Sequence, residues 1–144
     1  MRKIVGIGLA VTLAVASAVQ AGPTGLIGQV KTSGWFFKDT IDIKAFDDPD
    51  YPGIACYVSS VDRSLTWDNA SDSSIACRKV GPVTATSFTD REEVFAQATS
   101  PFFKYQRVDR FYDEARNVLV YISYIRKAEG ENHAHAISVV PLGL

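Results

Sequence analysis

Three aspartates within four positions, Asp47, Asp48 and Asp50, stand in the stretch "FDDPDYPGIACYV", residues 46 to 58. Carboxylates this close together offer oxygen to a hard cation, since calcium takes six to eight oxygen ligands and loop carbonyls can add to the three side chains. The spacing lacks the distant bidentate glutamate of an EF-hand loop, and Pro49 fixes the backbone between two of the acids. Asp, Pro and Gly are also what a tight turn requires, because Asp bonds its own backbone and Pro pre-sets φ. The stretch reads as a turn before a strand, with a metal site at Asp47, Asp48 and Asp50 as its chemical alternative.

Two other groupings carry chemistry. In "HAH", His133 and His135 point to the same side if the segment is a strand, so they could share a copper or zinc ion, or simply solvate a polar approach to the strand. In "RVDRFYDEAR", Arg107, Asp109, Arg110 and Tyr112 sit among further charges and could hold a small anionic ligand; cross-strand and turn ion pairs account for the same residues. No G-x-S-x-G elbow, H-E-x-x-H helix or G-x-x-x-x-G-K-[ST] loop is present, so no catalytic residue is assigned and no cofactor is expected.

The chain that must position these residues opens as an exported one. Arg2 and Lys3 precede the uncharged apolar run 4–19, which is short for a membrane span of about 20 residues and ends in small side chains. Val19 and Ala21 fit the −3 and −1 positions of a signal-peptidase site, so residues 1–21 read as a signal peptide and 22–144 as one domain. Without Arg2 and Lys3, thirteen basic residues face sixteen acidic ones, a net charge of −3 that argues against nucleic acid and anionic lipid as partners. No second long apolar run follows, so no membrane insertion is expected after cleavage.

Export places Cys56 and Cys77 where thiols oxidise, and one disulfide is the simplest reading of them. The 22-residue loop they close is worth about 3 kcal/mol in the chain-entropy model.

Strand chemistry runs through the rest. "TIDIKAF" alternates Ile41, Ile43 and Ala45 against Asp42 and Lys44, which predicts a strand with one face wet. "GIACYVSS" sets Ile54, Cys56 and Val58 against Tyr57, and Gly81–Pro82 ends a third extended run. "YQRVDRF" and "NVLVYISYI" read as a hairpin joined through "YDEAR", with Asn117 where a left-handed conformation is tolerated. The second of these strands is apolar on both faces, Val118, Val120 and Ile122 against Leu119, Tyr121 and Ile125, as expected of a central strand. The fold expected is all-β, a predominantly antiparallel sandwich or small barrel, with at most one or two short helices in residues 64–73 and 89–98.

The blocks "AFDDPD", "CYVS", "SIACRKVGP", "FKYQRVDRFYDEARNVLVYISY" and "AISVVPL" resemble the CreA family of exported proteins over roughly residues 26 to 142. That resemblance implies a periplasmic protein of a Gram-negative bacterium. It supplies no catalytic residues to carry over, and the family's two cysteines match Cys56 and Cys77. Family members tend to have a longer, glycine-rich loop between the cysteines. Here residues 59–69 read "SSVDRSLTWDN", with no glycine, so a function seated in that loop does not transfer. The expected function is a non-enzymatic binding or interaction module of the cell envelope, its partner a small molecule or an envelope protein. The alternative is a hydrolase-like enzyme whose site is assembled from residues distant in sequence.

Overall fold

The structure, a computed structural model, describes residues 24–33, 39–62, 72–84, 88–100, 104–127 and 134–143. The signal-peptide segment, His133 and most of the loop 59–69 lie outside them. Among the described residues every regular element is a strand: β1 Gly25–Ser33, β2 Asp39–Asp47, β3 Ile54–Asp62, β4 Ser73–Lys79, β5 Arg91–Ser100, β6 Lys104–Asp113, β7 Val118–Lys127 and β8 His135–Pro141. They form two four-stranded antiparallel sheets in simple sequence order, β1-β2-β3-β4 and β5-β6-β7-β8, which is the all-β architecture expected. Phe46, Ile54, Cys56 and Val58 from the first sheet meet Phe95, Val108, Leu119, Tyr121 and Val140 from the second in one core.

The β6–β7 hairpin forms as its residues predict. Its turn spans 114–117 and closes with Asn117 at φ 51°, a left-handed conformation that asparagine tolerates better than most side chains. The Tyr112 hydroxyl donates to Asn117 Oδ1 at 3.2 Å, and the Leu142 amide donates to the Asn117 carbonyl at 3.1 Å.

Residues 89–98 differ from the helical option, because β5 occupies them from Arg91 onward. Its register with β6 shifts between Glu93 and Phe95 and again between Ala98 and Ser100. Such bulges break the period-2 alternation by which a strand is recognised in sequence. Of 64–73, the described part, Asp72 and Ser73, shows no helix, and Ser73 starts β4.

β2 is a strand as expected, but its faces are reversed. Asp42, Lys44 and Phe46 are buried while Ile41, Ile43 and Ala45 are only half-buried. Register is the cause. Phe46 pairs with Cys56, Cys56 pairs with Cys77, and all three face the core, so positions two and four residues before Phe46 must face it too. One well-anchored aromatic outweighs the local hydrophobic count.

At the end of β2 the chain turns through Asp48–Gly53 into β3. Gly53 is dictated by close backbone approach: the Val80 and Gly81 amides donate to its carbonyl at 2.8 and 3.1 Å, and a Cβ there would overlap the carbonyl oxygens of Pro82 and Gly81. The glycine and the Gly81–Pro82 turn thus hold the start of β3 to the end of β4.

The two sheets draw together where β4 runs along β8. The Cys77 amide donates to Ser138 Oγ at 2.8 Å, and Lys79 Nζ reaches the Leu142 carbonyl at 2.9 Å. The opposite edges, β1 and β5, each carry two register shifts. Bulges of this kind blunt an open edge against pairing with another chain.

Candidate functional site

Charged side chains concentrate where the Asp48–Gly53 turn of the first sheet meets β5, β6 and β7 of the second. Asp48 is fully buried and uses both carboxylate oxygens. Oδ1 accepts from the amides of Asp50 at 3.0 Å and Tyr51 at 3.2 Å and from Arg110 Nη1 at 2.5 Å, while Oδ2 accepts from the Tyr121 hydroxyl at 2.6 Å. The turn that Asp, Pro and Gly predict is therefore real, and its aspartate also reaches across to the other sheet.

Arg110, itself 2% exposed, binds Asp50 through Nη2 at 3.0 Å and Glu92 at 2.7 Å in addition to Asp48, and its guanidinium lies 4.4 Å above the Tyr51 ring. Burial alone would lower its pKa. The hydrogen bonds and charges of Asp48, with Asp50, outweigh that and hold it above the ordinary arginine value. Phe88 continues the layer, 5.2 Å from the Tyr51 ring and stacked at 4.1 Å on Tyr112.

Tyr121 is buried beside this carboxylate, and burial first, then the Asp48 charge, push its phenol far above the usual value of 10.0. Tyr51 and Tyr124 move in the same direction, burial again the largest cause. A phenol whose folded pKa lies above its unfolded one keeps its proton in the native state after the unfolded chain has lost it. The stability this represents is complete below about pH 10 and is lost as pH rises. Urea unfolding of the protein between about pH 9 and pH 11 should show a fall with a limiting slope of about 1.4 kcal/mol per pH unit from Tyr121, and Tyr121→Phe should remove that share.

Alternation divides the residues of "RVDRFYDEAR". Arg110 and Tyr112 face the interior, whereas Arg107 and Asp109 lie on the outer face of β6. There Asp109, 2% exposed, accepts from Arg91 Nε at 2.8 Å and from the Tyr124 hydroxyl at 3.3 Å, and Arg107 pairs with Glu93 at 2.5 Å. Hydrogen bonding to Asp109 raises the Arg91 pKa. The four residues therefore do not form one site: Arg110 lies in the inner clamp, Tyr112 stacks on Phe88 on that same face, and Arg107 and Asp109 make two separate ion pairs on the outer face. The period-2 rule applied to odd 107 and 109 against even 110 and 112 carries that signal; Glu92, Arg91, Tyr121 and Tyr124, the partners from neighbouring strands, have none in the sequence.

Asp47 closes β2, Asp48 is consumed by the turn and Arg110, and Asp50 holds Arg110 from the solvent side. Among the described residues no three His, Cys, Asp or Glu side chains are placed to hold one metal ion. His135 begins β8 and is exposed. Cys56 and Cys77, directly opposite in the β3–β4 register, form a disulfide with Cα atoms 4.0 Å apart.

What this arrangement defines is a disulfide-linked, antiparallel two-sheet protein with a buried electrostatic clamp between its sheets. The chain belongs to the CreA family: the family described as CreA protein matches residues 27–143. It is 34% identical to the protein named Protein CreA of Escherichia coli strain K12, over 88% of this chain and 90% of that one, and equally so to the Protein CreA of Escherichia coli O157:H7. No solved structure matches the chain.

Proposed function

We propose that the protein is a non-enzymatic interaction module of the periplasm that docks an envelope protein on the outer face of its second sheet. One observation carries this reading. β7 is apolar on both sides, yet the first sheet covers only Leu119, Tyr121 and Ile125. Its other side, Val118, Val120 and Ile122, lies beside Phe111 of β6 and beside Ile137 and Val139 of β8, which are 61% and 49% exposed. A contiguous apolar row flanked by the Arg91–Asp109 and Arg107–Glu93 pairs matches the anatomy of a protein interface, an apolar centre with a charged rim. Location in the periplasm is supported by the signal-peptide pattern of residues 1–21.

A photocrosslinking residue at position 137, in the exported protein within living cells, should give a discrete adduct. The same group at exposed Asp72 should not, and Val139→Lys should abolish the adduct while leaving the unfolding free energy within about 0.5 kcal/mol of the parent. Equal labelling at both positions, or none at 137, would remove the basis for this docking face.

A further inference from the structure

The interior holds a second polar centre, separate from the Arg110 clamp and from the outer face. Reversal of the β2 faces carries Asp42 and Lys44 into the space between the sheets, where they are 8% and 7% exposed. Lys44 has no hydrogen bond or ion pair among the described residues. Asp42 Oδ1 accepts from Gln29 Nε2 at 2.8 Å and Thr40 Oγ1 at 3.2 Å, and its Oδ2 has no such partner. Ser60, opposite Asp42 in the register and 4% exposed, makes no side-chain hydrogen bond there either.

The other sheet supplies Gln106. It is fully buried, and its Nε2 donates to the Ser59 carbonyl at 3.1 Å and to Ser73 Oγ at 3.0 Å. Its Oε1 is sealed from solvent with no partner at all. Ser59 lies between Val58, opposite Lys44, and Ser60, opposite Asp42, so the Gln106 amide sits over the same rows of β3 that face the two charges. Beyond the Phe46–Phe95 stack, Gln97 of β5 is exposed, so this end of the interior opens towards solvent.

A buried polar atom left unsatisfied costs free energy, as at Gln106 Oε1, while Lys44, Asp42 Oδ2 and Ser60 Oγ, on largely buried residues and without protein partners, still reach solvent and are free to meet a common ligand. Lys44 and Asp42 carry opposite charges two residues apart on one strand face, about 7 Å between Cα atoms, yet are not paired with each other. A simple anion or cation would meet one like charge here. A small molecule with both charges would meet neither. We propose that this mouth binds a zwitterion of amino-acid size, its carboxylate on Lys44 Nζ and its ammonium towards Asp42 Oδ2, with Ser60 Oγ bonding either end and the Gln106 amide packed behind them.

The test is a nuclear magnetic resonance titration of the oxidised protein with glycine and a panel of free α-amino acids, using acetate and methylammonium as single-charge controls. At least one amino acid should shift the Gln106 side-chain amide and the Lys44 and Ser60 backbone signals saturably, at least about tenfold more tightly than either control. Lys44→Met keeps the packed stem and should weaken binding about tenfold or more, as should Asp42→Asn by an independent route, with the β6–β7 hairpin signals unmoved as the check on folding. Absence of a saturable shift with every amino acid up to about 10 mM, or acetate binding as tightly as the amino acids, overturns the proposal.

Discussion

Asp48→Ala should lower the unfolding free energy by about 3–5 kcal/mol, the scale seen when one partner of a buried ion pair is removed. The loss is large because one carboxylate serves three roles. It closes the turn through the Asp50 and Tyr51 amides, neutralises Arg110 inside the protein, and accepts the Tyr121 hydroxyl from the opposite sheet. Removing it leaves a guanidinium that is 3% exposed with only Asp50 and Glu92, both reached from the solvent side. Urea denaturation checks the magnitude. The coupling is checked by Asp48→Asn combined with Arg110→Met, whose joint cost should fall well short of the sum of the single ones, because the uncompensated charge disappears with the arginine. Additivity would show that the two residues act separately.

Breaking the Cys56–Cys77 bond should cost about 3 kcal/mol, the chain-entropy value for the loop it closes. Loss of the crosslink should be felt first along β4, which is held to β3 on one side and to β8 on the other, the Cys77 amide itself donating to Ser138. Cys56→Ala with Cys77→Ala should therefore lower the urea midpoint and speed hydrogen exchange of β4 amides more than those of the β6–β7 hairpin. Uniform acceleration across both sheets would mean that β4 is no weaker than the rest once the bond is gone.

Much of this architecture is legible in the amino-acid sequence wherever the information is local. Asn117 marks the hairpin because few other side chains accept φ 51°, and the Asp, Pro and Gly residues around Asp48 mark a turn because their own backbone preferences make one. The faces of β2 illustrate the opposite case. Counting isoleucines favours the wrong side, since the decision is made by Phe46 and by a register running through Cys56 to Cys77. β5 is obscured by its bulges. The clamp is the least legible part: Asp48 and Arg110 stand 62 positions apart, and neither residue type announces a partner that distant. For the same reason Gln106 could not be anticipated, because its significance lies in an oxygen for which the fold provides no donor.

The simple sheet order has a consequence for how the molecule comes into being. Every strand of one sheet precedes every strand of the other, and the described hydrogen bonds between the two halves each involve a side chain, such as Ser138, Gln106, Arg110 or Tyr121. A chain that appears N-terminus first thus presents the residues of β1 to β4, both cysteines among them, before any residue of β5 to β8 exists to cover them. The covalent bond can close in a half-molecule, whereas the ionic bond at Asp48 must wait for Arg110. The two fastenings thus divide the work: the disulfide lies wholly within the first sheet, and the ionic bond joins that sheet to the second. If the chain is cut between the sheets, reunion of the two fragments should be marked by the burial of a single arginine, Arg110.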